Sequence, residues 1–504
     1  MTALMCLIAL TISPKDVVRD AVNAGPQPGY RYFSLHATPP DRRDRQMMSL
    51  IYTLNQLNMT PKTVSLIKIS DTVFAVDATD LRWDPQAWEK LGAANSTFKG
   101  AWINSPEWTT LCVATGSNYP IVRADEFIFR ASKEFYYDFM FGVGKVKTRE
   151  ELFKRLGIDP VLIDTMGLKS AGIVVNNLTV TKNPRQLFFR PGPLWVWTSR
   201  DVKDSVGNRN VLKQIDVSPG PEDDLEIIGE EHIFKLPWGG FGGFLNDAAG
   251  KRIDEVPINV AIDRDSHPHG PEVAAARNCW SCHTQAVKSF TSDFTELLKK
   301  DIVRVTAADK HTQRKIEEIY NDINVQDQLD DQQSAYGRTI FRMFGEEPAV
   351  VAKAFTDEWN QYGDGLIDIE VAAREAGCDP GELSAVLATM AEPMALMLLP
   401  QGEDIPGRTI PRSAWDDMLT TVLFLLKNPG AVPSRVLQVG LNTVTVPKDQ
   451  PIEKYDSDAI QGVKVEGGKA VGASLQYPVT VSPGVGWVEI QLKGGSRERF
   501  EVRK

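Results

Sequence analysis

Apolar and polar positions alternate with two different periods along the chain, and the change from one to the other divides it into four regions. Residues 1–25 begin with the apolar run Ala3 to Ile12. Ser13-Pro14-Lys15-Asp16 then reads as a helix start, with Ser13 as N-cap, Pro14 in the first turn and Asp16 reaching back. Residues 26–270 mix helical and strand periods. Arg31 to Leu35 is strand-like, and the helix that Asp41 opens carries Met47, Ile51, Leu54 and Leu57 on one face. Val64–Ile69 and Thr72–Asp77 form a hairpin about Ser70-Asp71, and Asp84-Pro85 starts a helix with Trp88 and Leu91. Phe127, Ile128, Ala131, Phe135 and Phe139 make an aromatic stripe of core type. Thr148 to Glu151 is a capping box, and Gly157 stops that helix. From residue 171 the period falls to two. Val174 to Val180, Leu194 to Thr198 and Ile227 to Leu236 read as strands, and Phe244 to Ile253 as a hairpin about Asp247–Gly250.

Residues 271–428 return to the helical period. Helices are expected over Asp293–Val303, Lys310–Ile323, Ser334–Phe344, Pro348–Tyr362, Leu366–Ala376 and Glu382–Met397, and from Arg412 to Leu426. Pro429-Gly430 and Pro433 mark a linker. Residues 436–504 carry short alternating runs such as Thr443–Val446 and Trp487–Leu492, the pattern of a small β-sandwich-like domain.

One motif gives this frame its chemistry. Cys279-Trp280-Ser281-Cys282-His283 is C-x-x-C-H, the attachment signature of c-type haem. Two thiols three positions apart bond the haem vinyl groups, and the next imidazole is the proximal axial ligand of the iron. Structural zinc wants four ligands, and no second C-x-x-C accompanies this one, although His267 and His269 lie just upstream. A thioredoxin-like pair wants a βαβ setting and gives the histidine no role. The Gly-rich stretch Leu236–Gly243 lacks the G-K-[ST] ending of a phosphate loop. The fold class expected is α+β multidomain, with a mixed α/β part, a helical c-type haem-bearing part and a small all-β C-terminal domain.

Composition narrows the role. A net charge of −10, from 56 basic and 66 acidic residues, disfavours a nucleic-acid binder and is compatible with a basic redox partner. Cys6, Cys112 and Cys378 are an odd remainder, not a disulfide framework. Haem attachment occurs outside an energy-transducing membrane, so the periplasm or cell envelope is expected. The run Ala3–Ile12 suits a signal-peptide core but no Lys or Arg precedes it, so a truncated signal and a buried segment both stay open. No stretch reaches the ~18 apolar residues of a membrane span.

The chain resembles a family of large mono-haem, cytochrome c-like proteins of planctomycete-type bacteria. The resemblance rests on Arg31–Leu35 before Pro39-Pro40, Leu81-Arg82-Trp83-Asp84-Pro85, Arg123-Ala124-Asp125 with Phe127, Leu156-Gly157, Leu236-Pro237, Gly250–Ile253 with Pro257, and Cys279–His283. It covers roughly residues 30 to 400, and the order of the short matches carries it. It implies haem binding and an envelope location but no reaction. The family tends to continue Leu-Pro with Asn-Gly-Leu, where this chain has Trp238-Gly239-Gly240-Phe241, so a pocket that touched that loop would differ here.

Iron held by His283 has a second axial face. Met343, sixty residues on, is the first candidate to close it; Met390, Met394 and Met397, then His267 or His269, are the others, and an open face is the remaining option. Arg252, Arg277 and Lys288 are near enough in sequence to meet a haem propionate. The reading is one covalent haem c per chain, in a mono-haem cytochrome that passes one electron to a protein redox partner. The alternatives are a peroxidase-like enzyme with an open distal face, where His267, His269 or Arg277 would act as acid–base groups, and a haem-based sensor or structural envelope protein.

Overall fold

The computed structural model describes residues 12–95, 97–98, 105–158, 170–175, 183–205, 209, 225–256, 273–299, 314, 317–363, 365–390, 393–399 and 407–427, and the strands between 436 and 503. The chain forms two compact units. The first is Met1–Asp379 with Ile410–Asp416, and the second is Pro380–Thr409 with Asp417–Lys504. The class is mixed α/β over several sheets, an α+β multidomain arrangement.

The first unit begins with helix α1 (Pro14–Asn23), whose Ser13–Asp16 capping box is formed as the sequence predicts. Strand β1 (Tyr30–Ser34), helix α2 (Arg43–Gln56), strands β2 (Ile67–Lys68) and β3 (Val73–Asp77), and helices α3 (Ala78–Leu81), α4 (Pro85–Ala94) and α5 (Pro106–Thr115) follow. Strand β4 (Ile121–Arg123) pairs parallel with β1, giving a sheet of order β2-β3-β1-β4. Helix α5 has no counterpart in the periodicity, because its apolar residues are spread around its circumference. Helices α6 (Ala124–Ala131), α7 (Tyr136–Phe141) and α8 (Arg149–Arg155) lead to a second sheet. The expected aromatic stripe is real, but the chain breaks between Ala131 and Tyr136 and spreads it over α6 and α7.

The second sheet is a five-stranded antiparallel meander: β5 (Ser170–Val174), β6 (Arg185–Arg190), β7 (Val196–Val202), β8 (Ile227–Lys235) and β9 (Phe241–Asp247). Its register aligns Gly172, Leu187, Ser199, Glu231 and Leu245 in one row across the sheet. The next row, Ala171, Phe188, Thr198, His232 and Phe244, projects to the opposite face because side chains alternate along each strand. Phe153 of α8 packs on that opposite face, with its ring edge-on to His232 at 5.3 Å.

A two-residue ribbon, β10 (Glu255–Val256) with β11 (Val273–Ala274), leads into α9 (Arg277–Cys282). Helices α10 (Asp293–Lys299), α11 (Asp322–Phe344), α12 (Pro348–Gly363) and α13 (Ile369–Ala376) complete the unit. The boundary expected at residue 270 does not separate two cores. Phe33, Trp88 and Phe127 share one buried cluster with Phe234, Trp280, Phe355 and Trp359. Trp280 supplies the link: its ring meets Tyr52, Tyr136 and Phe355 at 6.1, 5.6 and 5.4 Å.

The second unit holds α14 (Pro380–Met390), α15 (Pro393–Leu398) and all but the first turn of α16 (Arg412–Lys427). Its strands form two sheets. In one, Val436–Gln438 lies beside Arg497–Arg503, which pairs with Trp487–Leu492 and through it with Ile452–Ser457. In the other, Ser474–Val481 pairs with Gly440–Pro447, Val463–Val465 and Lys469–Val471. The unit begins at Pro380, upstream of the linker expected about Pro429. The run Ala3–Ile12 falls outside the described residues apart from Ile12.

Candidate functional site

The motif is held on a short helix between two residues of positive φ. Ala276 has φ +65° and ψ −69°, and the Arg277 amide donates to the Ala275 carbonyl at 2.9 Å. That is a γ-turn of the strained sense for an L residue, at a cost of about 1–3 kcal/mol. The Ala274 amide donates to Oδ1 of Asn278 at 2.8 Å, tying the end of the ribbon to the helix. Cys279 and Cys282 lie three apart on α9, hence on one face. The amide of His283 donates to the Cys279 carbonyl at 2.8 Å.

Ala286, at φ +69°, closes the turn that follows. Its amide donates to the His283 carbonyl at 2.9 Å, and its own carbonyl lies 3.0 Å from Nδ1 of His283. A carbonyl only accepts, so Nδ1 carries a proton and Nε2 is the ring nitrogen turned to the cavity. This backbone bond fixes the tautomer that a metal-binding histidine needs.

Cys279, Cys282 and His283 all line one cavity of about 290 Å³ between α9 and the five-stranded sheet. Small-molecule sites run from about 300 to 1,000 Å³. Leu187, Trp197, Ile233, Leu245, Val287 and Phe290 give it apolar walls, and the exposed Lys288 and Ser289 stand at its edge. Gly243 makes room for the first thiol: a Cβ there would lie 2.7 Å from Sγ of Cys279.

One charged side chain faces the imidazole. Oε1 of Glu231 is 3.6 Å from Nε2 of His283, and Sγ of Cys279 is 3.6 Å from the same oxygen. Burial alone would raise the Glu231 carboxyl; the hydrogen bond and charge of a protonated His283 outweigh it and hold it down to about 2. Burial, reinforced by the Glu231 charge, pushes the Cys279 thiol well up. A redox-active pair needs the reverse, a thiol pulled down toward the thiolate. Neither Cys279 nor Cys282 is in a disulfide, nor are Cys112 and Cys378. Among the described residues no three His, Cys, Asp or Glu side chains converge as a metal cage.

The donor set suits a haem: two thiols, an imidazole and apolar walls meet at one cavity. Lys288 is the one of the three basic candidates that lines it. Arg277 turns away, stacked on Trp359 with its guanidinium 4.2 Å from the ring centroid. Arg252 lies 4.6 Å over the Tyr137 ring. Met343 stands near the end of α11 and packs, partly buried, against the main core; it is not among the lining residues. Met390, Met394 and Met397 belong to the second unit, and Met394 is exposed. His267 and His269 lie outside the described residues. The Trp238–Phe241 loop approaches only through Phe241, whose ring is 6.4 Å from the His283 ring.

Periodicity does not reveal Glu231, but a signal exists. Ile227–Lys235 reads I-I-G-E-E-H-I-F-K, and consecutive strand residues face opposite sides. Two adjacent glutamates in a strand covered on both faces put a carboxylate inside on each. No family model, curated protein or solved structure matches the chain.

Proposed function

We propose that this protein is a mono-haem c-type cytochrome that transfers single electrons. The observation that carries the reading is the convergence of both motif thiols and the His283 imidazole on one apolar-walled cavity. Cys279 and Cys282 would hold the group through thioether bonds, and His283 would ligate its iron. When bound, haem supplies a one-electron ferric–ferrous couple whose potential depends on the axial ligands, burial and hydrogen bonding.

The chain's own residues do the rest. The Ala286 carbonyl orients the imidazole and raises its basicity through Nδ1. Leu187, Ile233, Leu245 and Phe290 exclude water from the cavity, which lowers the local dielectric. Lys288 offers a cation at the edge, where a propionate would lie. The partner is a protein redox carrier, and the setting is the periplasm or cell envelope, in keeping with the planctomycete-type mono-haem family that the sequence resembles. No described helix is long and apolar enough to cross a membrane. In domain terms, the first unit is the haem-bearing part and the strands from Val436 are its β appendage.

The test is haem staining of a denaturing gel after acid–acetone extraction, followed by a potentiometric titration. The 55.9 kDa band keeps its stain, and the titration follows a reversible one-electron curve. Loss of the stain on extraction would overturn the reading. A second reading, a peroxidase-like enzyme, is favoured by the Glu231 carboxylate opposite Nε2, where a general acid–base group would stand. Sustained peroxide turnover by the loaded protein selects it over the electron carrier.

A further inference from the structure

A second group of charged side chains is buried where α6, α12, α13 and the first turn of α16 meet, and the haem reading uses none of them. Its fixed end is Glu375 of α13. Oε2 of Glu375 accepts from Nη1 of Arg123 at 2.6 Å, Nη1 of Arg412 at 2.7 Å and Nε1 of Trp415 at 2.8 Å. Arg123 also binds Asp125 at 2.6 Å. Paired backbone bonds between Ile367 and Ile410, 2.8 and 2.9 Å long, hold the chain that enters α16. His36 reaches the Glu375 backbone carbonyl, not its carboxylate; burial and then the Arg123 charge lower it to about 4, so it is neutral here.

The other end of the group is short of cations. Nε of Arg130 is 2.9 Å from Oε1 of Glu126, and its Nη2 is 4.0 Å from Oδ2 of Asp416. Asp416 accepts from the Tyr362 hydroxyl at 3.1 Å and lies 3.6 Å from Nη1 of Arg412. That Arg412 nitrogen is already engaged by Glu375, and Arg130 also serves the half-exposed Glu134 at 2.6 Å. The buried group thus sets four carboxylates, Asp125, Glu126, Glu375 and Asp416, against three guanidiniums, Arg123, Arg130 and Arg412. The Glu126 side chain is fully buried, where an uncompensated charge is costly. One proton evens the count. Burial raises the Glu126 carboxyl, and with Asp416 beside it the Arg130 charge does not bring it back. Burial likewise raises Asp416 against the charge of Arg412.

We propose that Glu126 and Asp416 share one proton in the folded chain, and that this proton seats the first turn of α16 on α6 and α12. Without it two buried carboxylates compete for Arg130, and the turn that carries Asp416 loosens. The arrangement is a pH-sensitive latch, independent of what the cavity at α9 holds. Its sign follows from linkage. A carboxyl raised in the folded state contributes stability that is present below its unfolded value, about 4.3, and declines as pH rises to the folded value.

The experiment is amide hydrogen exchange of the full chain from about pH 5 to about pH 9, with rates corrected for intrinsic exchange. Protection of the peptide over residues 410–416 is expected to fall by up to about tenfold per pH unit and then level off. Glu126→Gln, which is neutral and of the same shape, flattens that profile and keeps the peptide protected in alkali. Infrared spectroscopy supplies a second readout: a buried protonated carboxyl band at the acid end of the range, absent from Glu126→Gln. A wild-type profile that is flat overturns the latch. So does a fall in protection that Glu126→Gln leaves unchanged, or a wild type without the carboxyl band. If Glu126→Gln does not fold, the wild-type profile and band decide alone.

Discussion

The two faces of the five-stranded sheet carry adjacent glutamates to opposite fates. On the α8 side, Glu230 is enclosed by Arg149 at 3.1 Å and Arg200 at 2.9 Å, and it accepts from Asn246 at 3.1 Å. His232, one residue further, is bound by Thr198 at 2.9 Å and Asn246 at 2.6 Å. These groups answer one another, and Arg149 ties the network to α8. On the cavity side Glu231 meets the His283 imidazole and the Cys279 thiol, each at 3.6 Å. The closed face is built for stability. The open face turns its carboxylate to the motif residues themselves, which is how a site differs from a core.

The comparison breaks most sharply on attachment. On the proposed haem reading, His283→Ala would remove the iron ligand and Cys279→Ala one thioether. Both are expected to cut covalent haem content severalfold in pyridine haemochrome assays while the far-ultraviolet circular dichroism stays put. Glu230→Ala should give the largest stability loss, about 3 kcal/mol, because it removes the buried carboxylate that Arg149, Arg200 and Asn246 share. Glu231→Ala should cost less, since its carboxylate meets only His283 and Cys279, each at 3.6 Å. Urea unfolding followed by tryptophan fluorescence measures both; equal losses would erase the distinction between the faces.

Acid sharpens the same contrast. Burial would raise the Glu230 carboxyl, but the hydrogen bond and charge of His232 and the charges of Arg200 and Arg149 hold it well below the usual range. Its folded pKa is depressed, so its contribution is present above the ordinary glutamate value, about 4.3, and is lost as pH falls through the folded value. Glu230→Gln should flatten that limb of a stability–pH curve. A second limb belongs to His36, buried between the Ser34 hydroxyl at 2.7 Å and the Glu375 carbonyl at 3.2 Å. Burial, and then the Arg123 charge, lower it to about 4. The unfolded chain takes up this proton first, so stability falls as pH drops from about 6.5 to 4, by on the order of 3 kcal/mol. His36→Asn should remove that slope. The smallest effect concerns space. Gly243→Ala puts a methyl 2.7 Å from Sγ of Cys279 and should lower haem yield, with an overpacking cost of about 1–3 kcal/mol.

The parts of this picture legible in the sequence are those set by local rules. The Ser13 capping box, the strand over Ile227–Lys235 and the Asp247–Gly250 turn follow from neighbours a few residues apart. So does the spacing of Cys279, Cys282 and His283. What was hidden depends on contacts between distant segments. Arg277 looks available for a propionate beside the motif, yet Trp359, 82 positions on, captures its guanidinium. Met343 has a suggestive distance from His283 along the chain, but α11 turns it to the core. The divide drawn at residue 270 follows a true change of period, while Trp280 stitches both sides into one cluster. Glu231 becomes visible only when the register of β7, β8 and β9 shows which glutamate faces α9.

On the proposed function, the cavity against α9 seats a covalently attached haem. Mass spectrometry of the denatured chain, with peptide mapping, tests it most directly. A mass increase of one haem is expected, carried by the peptide that spans Cys279–His283. Two unmodified thiols at Cys279 and Cys282, in protein made by a host competent for haem attachment, would contradict it.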